Sequence, residues 1–89
     1  MIITNIFNNV FLVNVSKIGD DYLVFFYKNS RLLDFELLQK VGLDIEISIT
    51  QTGLIRGYKI PGFSEELEAI KYAKKQFKKL KELSKLNKI

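Results

Sequence analysis

The sequence predicts a small, mainly β domain: a five-stranded antiparallel barrel followed by a C-terminal amphipathic helix. Before Pro61-Gly62, short segments alternate between apolar and polar residues and are separated by turn residues. After Ser64, apolar residues instead recur every three or four positions, which is typical of a helix. With 89 residues and 47% hydrophobic content, the chain is expected to form one domain, with a β body at 1–63 and a helix at 64–89.

The first two predicted strands have the clearest flanking turns. Residues 10–18 alternate in polarity, as one strand with a buried and a solvated face does. Gly19-Asp20-Asp21 predicts a turn, and residues 22–28 are rich in aromatic and β-branched side chains, which favour strands. Asn29-Ser30 then predicts a tight hairpin turn.

The remaining strands are predicted from alternation and from breakers. Residues 33–38 alternate and predict strand three, although their leucine, glutamate and glutamine content also allows a short helix over 30–41. After Gly42, residues 44–49 alternate isoleucine with polar side chains and predict strand four. A Thr52-Gly53 turn leads into strand five at 54–60, which Pro61-Gly62 is expected to end.

The C-terminal helix carries the whole charge excess. Ser64 is the expected N-cap, and Glu65 and Glu66 suit the positive end of the helix dipole. Residues 1–63 hold six basic and six acidic residues, whereas residues 64–89 hold eight lysines and four glutamates. The body is therefore neutral, and the net charge of +4 belongs to the helix.

The composition argues against an enzyme. Histidine and cysteine are both absent, so the commonest general bases, nucleophiles and metal ligands are missing. Carboxylate pairs occur at Asp20-Asp21, Asp34/Glu36 and Asp44/Glu46, but alternation and turn position predict that they are solvated. We therefore predict a chain without catalytic residues, metal or cofactor. The lack of cysteine and of a charged signal-peptide start predicts a cytoplasmic location.

Aromatic and arginine residues of the body form the candidate interaction face. In predicted strand two, Tyr22 and Phe26 share one face while Phe25 and Tyr27 share the other, so one pair points away from the core. That pair either packs under the C-terminal helix, stacks on bases, or anchors a protein interface. The candidate residues are Tyr22, Phe25, Phe26, Tyr27, Arg31, Phe35, Arg56 and Tyr58.

The lysines of the helix form the second candidate surface. A charged arc opposite an apolar stripe is the ordinary surface of an exposed helix. The alternatives are contact with nucleic-acid phosphates or an acidic protein, for which lysine without arginine indicates diffuse attraction, and contact with a membrane surface. The candidate residues are Lys71, Lys74, Lys75, Lys78, Lys79, Lys81 and Lys85.

Residues 39–47, which follow a predicted hairpin and precede the Thr-Gly turn, resemble the start of the fourth strand in OB-fold domains. The resemblance covers residues 10–60, and an SH3-like barrel is the alternative. Only residues 39–42 are left for the helix that OB-folds commonly carry between strands three and four. The resemblance implies ligand binding on the outer face of strands two and three, often of nucleic acid. Size and basic tail are also similar to small accessory subunits of archaeal family-B replicative DNA polymerases.

These observations lead to one functional hypothesis and an alternative. A third strand would set Asp34 and Glu36 beside the aromatic residues, where they would repel phosphates and favour a protein partner. The hypothesis is a non-catalytic accessory or adaptor subunit that docks on a larger nucleic-acid-processing protein, such as a DNA polymerase, in DNA replication. The alternative is direct binding of single-stranded DNA or RNA by an OB-fold protein. Neither a small-molecule substrate nor a membrane is expected.

Overall fold

The computed structural model describes residues 1–45 and 49–89, and the side chains of all of these except Phe35 and Gln51. The described residues form a mainly β globule with a C-terminal helix, as the sequence predicts. Its elements are β1 (Ile2–Phe7), β2 (Phe11–Ile18), β3 (Asp21–Lys28), β4 (Arg31–Leu32), α1 (Phe35–Lys40), β5 (Ile49–Ile55), β6 (Tyr58–Phe63) and α2 (Glu66–Lys85).

The strands form one antiparallel sheet in the order β1-β2-β3-β6-β5, with β4 pairing the far end of β3. Strands β2 and β3 pair along their whole lengths, with Val13 opposite Phe26 at the centre. Within the described residues, β1 and β5 end this path and do not pair with each other. A closed five-stranded barrel is therefore not confirmed, and the sheet is open.

The N-terminal half agrees with the predicted strands and adds one before them. The Asn8 side chain accepts hydrogen bonds from the amides of Val10 and Phe11 at 2.9 and 2.7 Å, which turns β1 back onto β2. The predicted turn at Asn29-Ser30 is confirmed. Both residues have positive φ values, 50° and 67°, as a tight hairpin between twisted strands requires.

Predicted strand three is wrong, and the helical alternative is confirmed only at Phe35–Lys40, since Arg31–Leu32 form β4. Asp34 is extended and accepts a hydrogen bond from the Glu36 amide at 2.9 Å, so it caps α1. Burial also fits a helix, because Leu38, which lies one turn after the start of α1, points into the core and is only 3% exposed. A local cap and helix propensity thus override a short alternation.

The turn before the last strand is also misplaced by the sequence. Thr52-Gly53 lies inside β5, and the chain reverses instead at Arg56-Gly57, where both residues have positive φ. Gly53 is needed for another reason: a Cβ there would come 2.1 Å from the Ile60 carbonyl oxygen, so the neighbouring backbones approach too closely for any side chain. Predicted strand four falls partly on residues 46–48, which lie outside the described residues.

Pro61-Gly62 does not end the last strand, which continues to Phe63. The proline lies where β6 changes partner, since Pro61 is opposite Ile49 of β5, while Gly62 is already opposite Leu23 of β3. A missing N–H is tolerated at such a transition more readily than inside a continuous ladder.

Helix α2 begins two residues later than expected. Its N-cap is Glu65, which makes no side-chain cap, so the predicted Ser64 cap is wrong. Glu65 has extended backbone angles, φ −115° and ψ 130°, which leaves Ser64 outside the first turn. Glu66 and Glu68 occupy that turn and match the helix dipole.

The core lies between one face of the β1–β3 sheet and a layer made by α2, α1 and the segment that follows α1. The helix contributes small residues where it approaches the strands, and the sheet contributes larger ones. The buried cluster consists of Phe11, Val13, Val15, Val24, Phe26, Leu38, Leu43, Ile45, Ala69, Ala73, Phe77 and Leu80.

Candidate interaction surfaces

Helix α2 covers the face of β3 that carries Tyr22 and Phe26. Phe26 is 2% exposed, and its ring meets the Tyr72 ring of α2 edge-on, with centroids 6.3 Å apart. Tyr22 is half-buried and packs against the same core. Phe26 therefore presents no free ring face to a ligand, and the Tyr22 ring, which packs against the core, has Lys17 Nζ 5.5 Å from its centroid.

The opposite face of the same strands carries Phe25 and Tyr27. Phe25 lies opposite Asn14 and Tyr27 opposite Leu12, and Leu12 in turn lies opposite Phe7 of β1. Phe25, Tyr27 and Leu12 are half-buried, whereas Phe7 is 71% exposed. We call this surface the outer face, made of Phe7, Leu12, Asn14, Phe25 and Tyr27.

The middle of the outer face is fixed by a short polar network. The Asn14 amide donates to Asn5 Oδ1 at 2.8 Å, and the Ser16 hydroxyl donates to Asn14 Oδ1 at 2.6 Å. Asn14 is only 9% exposed, so these bonds satisfy a side chain that the sheet nearly buries. The outer face therefore combines aromatic rings with neutral, internally bonded polar groups and contains no charged residue.

Hairpin β5–β6 limits the outer face at the end near Leu23, away from the β3–β4 turn. Leu23 is on the same side of β3 as Phe25, yet it is fully buried. A Cβ on Gly62 would lie 2.8 Å from Leu23 Cδ2 and 2.9 Å from Thr50 Oγ1, so the hairpin packs directly over this leucine. The accessible part of the face therefore begins at Phe25 and extends toward β1 and the β3–β4 turn.

Other candidate residues of the predicted interaction face lie at hairpin ends. Arg31 is exposed in β4, opposite Lys28. Arg56 is exposed in the β5–β6 turn, and Tyr58, 47% exposed, begins β6 opposite Ile55. Phe35 is the first residue of α1, and its side chain lies outside the described part of the chain.

Two outer-face residues were missed in the sequence, Phe7 and Leu12. Their apolar side chains lie across from each other only because β1 folds back on β2, and polar Asn5, Asn8 and Asn9 obscure that first strand in the sequence. They also line a depression of about 220 Å³ between the β1–β2 and β3–β4 turns. Asn8, Asn9, Asn29 and Ser30 supply its polar rim.

The lysines of α2 divide into two groups. Lys79 Nζ donates to the Gly42 carbonyl, and Lys75 Nζ lies 4.0 Å from the Asp44 carboxylate, so both contact the segment after α1. Tyr72 joins them, since its hydroxyl donates to the Asp44 carbonyl at 2.7 Å. Burial raises the pKa of the Tyr72 phenol above its usual range, and the Asp44 charge adds to that rise.

The other lysines have different surroundings. Lys81 Nζ lies 5.2 Å from the Phe77 ring centroid, which suits a cation–π contact. Lys71, Lys74, Lys78 and Lys85 are exposed, and their side chains form no hydrogen bond or ion pair with another described residue.

Carboxylates that could hold a metal ion are not clustered in residues 1–45 and 49–89. These residues contain no group of three or more acidic side chains that could do so. Asp34 is used as a helix cap, and Glu46, the partner of Asp44 in one predicted pair, lies outside them.

No helix in 1–45 and 49–89 is long and apolar enough to cross a membrane. Comparison of the chain with family models, curated proteins and solved structures finds no match.

Proposed function

We propose that this chain is a non-catalytic adaptor that binds a larger protein through the outer face. The observation that carries the proposal is a pair of aromatic residues, Phe25 and Tyr27, held half-buried on the face of the central strand pair that α2 does not cover. Aromatic side chains on a rigid element lose little conformational freedom on binding and are enriched at the centres of protein interfaces. The neutral polar groups around them fit the rim of such an interface.

Charge distribution supports a protein partner over a single nucleic-acid strand. The outer face has no charged side chain, and seven of the twelve lysines belong to α2, which packs on the other side of the sheet. One strand of DNA or RNA would have to pass around the sheet edge to stack on Phe25 and contact those lysines together. The repulsion expected from Asp34 and Glu36 does not enter this argument, because both belong to the start of α1.

The fold family and the kind of partner that we propose rest on the sequence resemblance. An open antiparallel sheet with a helix against one face is compatible with an OB-like arrangement, and an SH3-like one is the alternative. The basic helix favours a partner that works on nucleic acid, such as a DNA polymerase in replication, because bound DNA would attract the lysines of α2.

Affinity purification with paired variants tests this proposal. We expect a tagged wild-type chain to recover a stoichiometric protein partner from native extract, and Phe25→Ser/Tyr27→Ser to lose it. The matched control is Leu67→Ser/Leu86→Ser, which removes two apolar side chains that are each 65% exposed at the two ends of α2. Recovery of the partner by the Phe25/Tyr27 variant, or of the chain alone in every case, would refute the proposal.

The accessibility of Phe25 and Tyr27 also favours a second candidate, direct binding of single-stranded nucleic acid by base stacking. Each stacked base is typically worth about 1–3 kcal/mol, so this mode predicts a large loss of oligonucleotide affinity on Phe25→Ser/Tyr27→Ser. Fluorescence titration with a short single-stranded oligonucleotide distinguishes the two candidates, since the adaptor function predicts no dependence on these rings.

A further inference from the structure

Five lysines of α2 form a continuous row on its exposed side. Their positions advance by steps of three and four residues, which keeps them within an arc of about 80° along roughly 21 Å of helix. All five are exposed. We call this row the lysine stripe, made of Lys71, Lys74, Lys78, Lys81 and Lys85.

The lysine stripe is separate from the lysines that hold the fold together. Lys75 and Lys79 contact Asp44 and Gly42, to one side of the stripe. Glu82 borders the stripe on that same side, where it lines a depression with Lys75, Lys78 and Lys79. Within the described residues no stripe lysine forms an ion pair, so none of the five charges is compensated by a direct contact.

The stripe points away from the sheet. The buried side of α2, which includes Ala69, Ala73 and Leu80, packs on the face of β2 and β3 opposite to the outer face. A ligand on the stripe and a protein on the outer face would therefore occupy opposite sides of the molecule. The stripe does not depend on the proposed function, and each surface can be tested without the other.

We propose that the lysine stripe binds the phosphate backbone of double-stranded DNA without reading its sequence. Lysine supplies a flexible point charge and lacks the planar fork that arginine uses for bidentate contacts to guanine. Duplex DNA carries about one charge per 1.7 Å of axis, so about 21 Å of duplex offers roughly twelve phosphates to five lysines. Apart from Phe77 beneath Lys81, the stripe has no ring on which an unpaired base could stack, which gives single strands no advantage.

Salt-dependent titration of a fluorescent 20-base-pair duplex (about two turns of DNA) tests the proposal. The variant is Lys74→Gln/Lys78→Gln/Lys85→Gln, which preserves helix propensity because glutamine and lysine are similar helix formers. We expect affinity to fall at least about tenfold at 0.1 M salt, and the slope of log K against log salt to decrease by about 3. The wild-type chain should bind two unrelated duplex sequences equally.

The matched control removes the same charge from the body, as Lys17→Gln/Lys28→Gln/Lys40→Gln. We expect its salt slope to stay close to that of the wild type. Equal losses in both triple variants would overturn the proposal, because they would show attraction by net charge alone. Binding that is about tenfold tighter to single strands would also overturn it, as would binding to phosphatidylserine vesicles without binding to the duplex.

Discussion

The two faces of the β2–β3 pair are built from neighbouring residues but have different roles. Phe26 faces α2 and is 2% exposed, whereas Phe25, the residue before it, faces the other way and is only half-buried. The covered face is apolar at Val13, Val15 and Val24, and the outer face places Asn14 among its rings. Aromatic content alone therefore does not distinguish a core from an interface, since the position of the covering helix decides it.

The largest effect is expected on the covered face. Phe26→Ala removes a buried ring that packs against Tyr72. The loss of stability therefore includes the transfer free energy of the ring and the cost of the cavity that the ring leaves. We expect the free energy of unfolding to fall by about 3–5 kcal/mol, measured by urea denaturation. A decrease below about 1 kcal/mol would mean that α2 does not cover this face.

Substitution of a buried amide on the covered side is expected to raise stability rather than lower it. Gln76 of α2 is 1% exposed, and neither its amide nitrogen nor its oxygen has a hydrogen-bond partner among the described residues. Gln76→Met keeps the side-chain shape and removes the desolvated polar atoms. We expect the free energy of unfolding to rise by about 1–3 kcal/mol, seen as a higher urea midpoint.

Destabilisation by Gln76→Met would contradict this expectation. It would indicate that the amide is bonded in solution, to water or to residues outside the described part. Gln76→Leu, which also removes the polar atoms but changes the shape, serves as the control: loss on both substitutions identifies a bonded amide, and loss on leucine alone identifies a packing defect.

Tyr72 connects the covered face to the segment after α1. Because burial raises the pKa of its phenol, the folded state holds this proton more tightly than the unfolded chain does. The buried phenol of Tyr72 therefore contributes fully to the free energy of unfolding below about pH 10, which is the pKa of tyrosine in the unfolded chain. Its contribution decreases as the pH rises above that value. Tyr72→Phe should lower stability by about 0.5–1.5 kcal/mol at neutral pH through the lost hydrogen bond to Asp44.

The pH dependence separates that role from simple packing. We expect the difference in unfolding free energy between wild type and Tyr72→Phe to shrink between about pH 10 and pH 11, measured by urea denaturation. A constant difference across this range would show that the phenol is not buried as its contacts imply.

A much smaller effect on stability than that of Phe26→Ala is expected on the outer face. Phe25→Ala is the same substitution as Phe26→Ala at the neighbouring residue, but we expect it to lower the free energy of unfolding by only about 1 kcal/mol. Urea denaturation of the two variants under identical conditions measures the difference between the faces. Equal losses would mean that both faces are closed by packing and would remove the proposed interface.

Much of the fold could be predicted from the sequence wherever one signal dominates. Strands β2 and β3 and helix α2 have long, regular patterns, and the Asn29-Ser30 turn needs residues that tolerate positive φ. The segment from Leu33 to Leu38 could not be decided, because six residues fit a period of two and a period of 3.6 alike. There, the side-chain cap from Asp34 gives the helix its start.

The sequence predicts the two faces on which the aromatic residues lie, but not which of the two faces stays accessible. Alternation sorts Tyr22 and Phe26 from Phe25 and Tyr27, yet it does not say on which face α2 packs. Gly53 was misread for a related reason, since its close approach to the Ile60 carbonyl is a long-range contact that no local pattern reports. Likewise, which lysines contact Gly42 and Asp44 depends on where α1 ends.

Hydroxyl-radical footprinting of the free protein, read residue by residue by mass spectrometry, tests most directly whether the outer face is available to a partner. We expect Phe25 and Tyr27 to be labelled substantially faster than Phe26, although the three residues are consecutive in the chain. Faster labelling of Phe26 than of Phe25 would contradict this expectation, because the helix would then cover the face that we propose as the interface.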